Sequence, residues 1–192
     1  MSFLILGLLI FLGVHSVRVF GEGWRAATLA RRGPGAWRGL VSVASLAGLV
    51  LIAWGFGLAR QHPVEIWVPP IWTRHFAGLL MLFAFVLLVA AYVPGNSIKS
   101  RLHHPMVLSV KVWALAHLLA NGLLADVLLF GSFLVWAVLN FRAARQRDRA
   151  AATVYPPGRT GATVLTVLIG VLAWAAFAFW AHGLLFGVRP FG

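Results

Sequence analysis

The sequence predicts an all-α protein, a polytopic transmembrane bundle of six helices, and three observations carry that prediction. Of 192 residues, 61% are hydrophobic and only 10% charged, whereas a soluble domain carries roughly 25% charged residues. Apolar runs recur along the whole chain, each close to the ~20 residues that a helix needs to cross the hydrocarbon core. Finally, 16 lysines and arginines face 4 acids, and the basic residues are concentrated in alternate loops between the apolar runs, the pattern that orients a membrane protein.

The elements follow in order. Residues 1–17 are uncharged and lead into Arg18, giving a first helix from about Phe3 to Phe20. It has no basic leader and no small-residue cleavage site, so it reads as a retained span and not as a signal peptide. Gly39 to Ala59 makes the second helix, and Phe76 to Val93 the third, stopped by Pro94-Gly95-Asn96. Pro105 to Asn121 makes the fourth and Leu123 to Phe141 the fifth, joined by Asn121-Gly122 as a tight antiparallel hairpin. Thr163 to Phe186 makes the sixth, so that residues 1–192 read as a single integral membrane domain without internal repeats.

Orientation comes from the loops. The first, third and fifth hold Arg25, Arg31, Arg32 and Arg38; Lys99 and Arg101; and Arg142, Arg145, Arg147, Arg149 and Arg159. The opposite side holds only Arg60, Arg74 and Arg189. The positive-inside rule therefore puts those three loops in the cytoplasm and both termini on the outer, periplasmic side of a bacterial inner membrane. Trp24 and Trp37 on one side, and Trp67 and Trp72 on the other, suit aromatic belts. The net charge of +12 belongs to this topology and to anionic lipid, so no nucleic-acid partner is expected.

Composition also narrows the chemistry. There is no cysteine, which excludes disulfides, iron–sulfur clusters and thiolate-ligated haem. The four acids are Glu22, Glu65, Asp126 and Asp148, too few for a carboxylate metal cage or for a transporter built on buried acids. No phosphate loop, GxSxG or HExxH motif occurs. Metal chemistry would have to rest on histidine.

Polar residues inside the spans are the candidates for function, because hydrocarbon penalises them. His117 falls about 18 Å along its helix from Pro105, with Trp113 and Asn121 on the same face at i−4 and i+4. Interhelical packing is the competing explanation. His15 lies in the first helix with Arg18 one turn beyond. Lys111 is close enough to the cytoplasmic end to snorkel, or else awaits a buried anion. His103 and His104 stand at the cytoplasmic interface before Pro105. His75 and His182 fall near the outer surface, where they either face each other or are simply solvated, and His62 carries little signal. Asp126 sits in the first turn of its helix, where a negative charge suits the dipole.

His104 and His117 are about 20 Å apart along one helix and cannot share a metal, so His117 needs a partner from another helix. His15 is the best candidate. Two neutral imidazoles from different helices would suit the axial positions of a haem iron, with Arg18 and Lys111 near the propionates. Helix tilt would have to absorb a depth difference of about 5–10 Å.

The segments "HHPMVLSVKVWALAHLLANG" and "LLFGSFLVWAV", with "GVHS" at residues 13–16, resemble the NnrU family of bacterial membrane proteins over nearly the whole chain. That family is similar to the 15-cis-zeta-carotene isomerases, integral membrane haem b enzymes, and more distantly to isoprenylcysteine methyltransferases. The resemblance implies His15 and His117 as haem ligands and His104 as the histidine of an Arg-His-Pro motif. Here the arginine has moved back to Arg101. It also implies a link to denitrification, with nitric oxide as a small-molecule partner. The cofactor expected is therefore haem b, the site residues His15, His117, Arg18, Lys111, His104, Trp113 and Asn121, and the role a redox or nitric-oxide-responsive one. The alternatives are a haem-dependent isomerase of a lipid-soluble polyene, a membrane methyltransferase working at His104 and Arg101, and a cofactor-free interaction protein.

Overall fold

The computed structural model describes residues 1–191, so the final Gly192 of the expected single domain lies outside them. The described chain forms α1 (Ser2–Phe20), α2 (Glu22–Ala59), α3 (Ile71–Tyr92), α4 (Ser97–Leu102), α5 (Pro105–Ala120), α6 (Leu124–Ala150) and α7 (Thr160–Ala176). A π-helical turn, Phe177–Ala181, then leads into α8 (His182–Phe186). No strand is present among the described residues; one isolated bridge pairs Glu65 with Leu123.

Five helical stretches, Ser2–Phe20, Glu22–Ala59, Ile71–Tyr92, Leu124–Ala150 and Thr160–Phe186, are long and apolar enough to cross a membrane. The remaining predicted span, Pro105–Ala120, is apolar but shorter, 16 residues. The protein is thus an all-helical, multi-pass membrane protein. Its exterior confirms the solvent it is built for: Val43, Leu46, Val50 and Trp54 of α2 and Leu165, Leu168 and Leu172 of α7 are exposed. Its interior is lined instead by small side chains, among them Ala84, Ala90, Ala114, Ala116 and Ala137. Packing between helices in lipid favours this inversion, because close backbone approach rather than water exclusion brings the helices together.

Glycine shows how close that approach is. A Cβ on Gly7 would meet the backbone of Gly48 and Ile52, one on Gly48 the backbone of Phe11, and one on Gly55 the backbone of Leu4. These pairings run in opposite directions, so α1 and α2 are antiparallel. Side by side, the helices succeed one another in the order α2, α1, α6, α5, α3, α7. Rings of α1 and α6 pair in the same direction, Phe11 with Phe133 at 5.8 Å and His15 with Trp136 at 6.2 Å, whereas α5 runs against α6, with Trp113 meeting Phe130 at 5.1 Å. The Ser109 hydroxyl of α5 donates to the Ala84 carbonyl of α3 at 2.8 Å. Trp174 of α7 donates to Gly78 of α3 at 3.1 Å.

Several boundaries differ from those read off the sequence. The expected first loop is helical: α2 begins at Glu22, and its first arm is separated from the span by Gly33 (φ 77°, ψ 168°) followed by Pro34. Positive φ needs glycine there, and proline reopens the second arm. Trp24 and Trp37 meet edge to face across this break at 5.4 Å. The fifth predicted helix continues past Phe141 to Ala150, because its arginines extend the helix into water instead of ending it. A short helix, α4, was not expected. Buried Asn96 caps it, accepting from the Lys99 amide at 2.8 Å and donating to the carbonyls of Ala90 and Val93. At the other end of the bundle, residues 64–67 form a strap over the Asn121-Gly122-Leu123 turn: the Ile66 amide donates to Gly122 at 2.9 Å and the Leu124 amide to Val64 at 2.8 Å.

Candidate functional site

The charged end of the bundle, where α1 stops and α6 projects beyond Phe141, holds a half-open cavity of about 480 Å³. That lies within the ~300–1,000 Å³ of cofactor and small-molecule sites. Its wall includes His15 and Arg18 of α1, His104 before α5, and Asn140, Arg147 and Asp148 of α6. Three of the seven residues singled out in the sequence, His15, Arg18 and His104, therefore share one space.

His15 is held from inside its own helix. Its Nδ1 lies 2.7 Å from the Phe11 carbonyl oxygen. A carbonyl can only accept, so Nδ1 carries the proton and Nε2 keeps its lone pair. The ring also stacks on Phe11, centroids 4.3 Å apart. Fixing one nitrogen by a backbone carbonyl to free the other is the usual preparation of a metal-binding histidine.

His104 is prepared by different partners. Its Nε2 donates to the Asp148 carboxylate at 2.9 Å, and the Tyr155 hydroxyl donates to the same oxygen at 3.0 Å. Arg145 stands 3.9 Å from that carboxylate and His103 Nδ1 3.7 Å. Tyr155 is presented by the loop after α6, which is tied down at both ends. The Thr153 amide donates to the Asp148 carbonyl, and the Arg159 amide to that of Gly95. His103 adopts φ 65° to turn the chain from α4 into α5, and its ring packs on Tyr155 at 3.9 Å. Partial desolvation pushes the Asp148 carboxyl upward. The Tyr155 and His104 hydrogen bonds and the nearby Arg145 guanidinium outweigh it, and hold the group below its ordinary value. Tyr155 is displaced upward, first by desolvation and then by its bond to Asp148.

Two guanidinium groups complete the wall. Arg147 donates through Nη1 to the Arg18 carbonyl at 3.2 Å, which pins α6 to the end of α1. Neither Arg18 nor Arg147 meets a carboxylate among the described residues. The one acid of the cavity, Asp148, is already engaged by His104 and Tyr155.

The other four candidates lie elsewhere. His117 packs against Phe130 at 4.5 Å and Trp113 at 5.5 Å, and its buried Nδ1 has no hydrogen-bond partner. From His15, ring contacts run through Phe11, Phe133 and Trp113 to His117. The structure thus fills the interval between the two histidines with packed aromatic side chains and does not bring them together. Trp113 belongs to the packing around the core. Lys111 places its Nζ 4.8 Å over the Phe141 ring, a cation–π contact, and is not part of the cavity wall. Asn121 ends α5 by donating to the His117 carbonyl at 2.8 Å. His75 and His182 do not pair either: His75 stacks on Phe191, and His182 Nδ1 donates to Val188 at 2.7 Å. Asp126 has the structural role expected, accepting from the Leu123 amide at 3.3 Å.

Sequence reading missed Asn140, Arg147, Asp148 and Tyr155 as site residues. A signal for the first three existed: Trp136, Asn140, Ala144 and Asp148 recur every four residues, one face of a helix. Arg147 borders it. Ending the helix at Phe141 hid that face. Nothing local marks Tyr155.

A multi-pass helical membrane protein with a histidine- and arginine-lined cavity at its charged end is the class that the fold and site define. Residues 3–190 match the NnrU protein family, and the chain belongs to it. No curated protein and no solved structure matches the chain.

Proposed function

We propose that the protein is a haem b-binding membrane protein whose haem occupies the charged-end cavity, with His15 Nε2 facing the iron and Arg18 and Arg147 meeting the propionates. The observation that carries this reading is the His15 imidazole, oriented by the Phe11 carbonyl with its free nitrogen on a residue of the cavity wall. Among the described residues no three His, Asp or Glu side chains form a metal site. Haem asks only for axial ligands, since the porphyrin supplies the other four nitrogens. The residues at His15 fit that requirement. His117 is set apart by packing: the rings of Phe11, Phe133 and Trp113 stand in the run of contacts between it and His15. A haem shared by His15 and His117 therefore does not fit this packing.

A bound haem supplies one-electron chemistry and affinity for nitric oxide, which is how the denitrification link implied by the family resemblance would operate. The chain's part is to hold the group, balance its carboxylates and limit access from the charged end. A polyene isomerase would need a long apolar slot open to lipid. The wall of this cavity joins His15, Arg18, His104, Asn140 and Arg147 to Val107, Ala144 and Ala151, with its one acid, Asp148, already hydrogen-bonded, and that mixture of bases and apolar surface favours an amphiphilic anion.

The test is spectroscopic. Purified protein loaded with hemin should show a Soret band that His15→Ala abolishes and His117→Ala leaves in place. Loss of the band in both variants would restore the shared-ligand arrangement, and no band in the wild type would end the haem reading.

A further inference from the structure

The haem reading leaves a connected polar group beside the cavity without a task. His104, Asp148 and Tyr155 form a connected set, with 2.9 Å from His104 Nε2 to Asp148 and 3.0 Å from Tyr155 to the same oxygen. The carboxylate is an acceptor, so Nε2 bears the proton and Nδ1 is left as the free nitrogen of a side chain that lines the cavity. Here a carboxylate, a phenol and the Arg145 guanidinium converge, and the loop that brings Tyr155 is anchored through Thr153 and Arg159. An imidazole backed by a carboxylate, on the wall of a cavity, has the arrangement of a general base.

We infer that His104 is an acid–base residue of the cavity, set by Asp148 and Tyr155, and that it exchanges a proton with a carboxylic acid or other O–H group on an anionic ligand held by Arg18 and Arg147. In the forward step the ligand O–H bond breaks and its electron pair stays on oxygen. The proton joins the Nδ1 lone pair, giving an imidazolium that Asp148 stabilises. The reverse step returns the proton to ligand or to water at the open mouth. Asp148 and Tyr155 are positioning residues, since they act through His104.

The inference rests on the haem reading only for the identity of the occupant, and the experiment separates the two. Full-length protein in nanodiscs is treated with diethyl pyrocarbonate, and acylation of each histidine is followed by peptide mass spectrometry. His104 should react at Nδ1. Asp148→Asn should slow that reaction severalfold, because the carboxylate supports the imidazolium that forms as Nδ1 attacks, and Tyr155→Phe by a smaller factor. Protoporphyrin IX, which offers two carboxylates and no iron, should shield His104 in wild type and shield it less in Arg18→Gln.

A pure latch predicts the opposite sign. Removing Asp148 would then release the ring, speed acylation and move it to Nε2; that result, an unchanged rate, or no shielding overturns the inference. Where Asp148→Asn fails to assemble, the Tyr155→Phe comparison decides on the same criteria. Shielding by protoporphyrin IX without any His15-dependent Soret band from hemin leaves the acid–base role standing and removes haem as the occupant.

Discussion

At the scale of single residues, the chain separates histidines by what holds their second nitrogen. His15 gives its Nδ1 proton to a backbone carbonyl and His104 its Nε2 proton to a carboxylate, while buried His117 Nδ1 has no partner. The Asp148 site also makes a pH dependence predictable. Asp148 is held below its reference value of 3.8 and Tyr155 above its reference value of 10.0. A lowered carboxylate contributes stability above its unfolded pKa and loses it as pH falls through the folded value; a raised phenol contributes below its unfolded pKa and loses it as pH rises through the folded one. Thermal unfolding in detergent should therefore show an acid limb below about pH 4 that Asp148→Asn removes, and an alkaline limb above about pH 10 that Tyr155→Phe removes. Limbs that survive these substitutions would assign the pH dependence to other groups. Gly122 is constrained by sterics instead: a Cβ there would overlap the Trp67 carbonyl oxygen. Gly122→Ala should cost about 1–3 kcal/mol, the range for overpacking, read as a lower unfolding temperature.

At the scale of elements, the sequence carried most of the helices and little of the site. Spans appear in sequence because twenty apolar residues are a local property. The cavity is not local: it needs the end of α1, the corner before α5, the projecting tail of α6 and the loop bearing Tyr155 at once. His15, Arg18 and His104 were legible as polar residues in or beside spans. The packing between His15 and His117 was not legible, because Phe11, Phe133 and Trp113 look like ordinary core residues until α1 and α5 are set on opposite flanks of α6. Asn121 shares the His117 face in sequence and also belongs to the expected helix-ending turn, and its side chain donates to the His117 carbonyl at the end of α5. One element couples fold to site directly. The seat of α1 depends on Gly48, whose Cβ would strike the Phe11 backbone, and Phe11 in turn orients His15. Gly48→Leu should thus weaken hemin binding more than Gly39→Leu, where a Cβ meets nothing within 4 Å. Equal losses would show that α1 packing does not govern the cavity.

At the scale of the whole molecule, charge and packing make a joint claim about which way the bundle stands. Arg18 and Arg147 line the cavity, with Arg145 and Arg149 on the same projecting stretch of α6, whereas the strap at residues 64–67 covers the α5–α6 turn at the far end, where Arg60 is the nearest arginine in sequence. Bilayers retain arginine-rich loops on the cytoplasmic face, so the cavity should open to the cytoplasm and the strap to the outside. The absence of cysteine makes the test clean, because any thiol introduced is the only one in the chain. Gln61 and Gln146 are both exposed, at opposite ends of the bundle. In intact cells a membrane-impermeant maleimide should label Gln61→Cys at once and Gln146→Cys only after the inner membrane is opened. The reverse pattern would turn the cavity outward, and the ligand would then have to be drawn from the periplasm and not from the cytoplasm. With the expected pattern, the same Gln146→Cys label sits beside Arg145 and Arg147, and hemin added to opened membranes should slow its reaction while leaving Gln61→Cys unaffected. That difference would locate the occupant at the arginine end without reference to its colour.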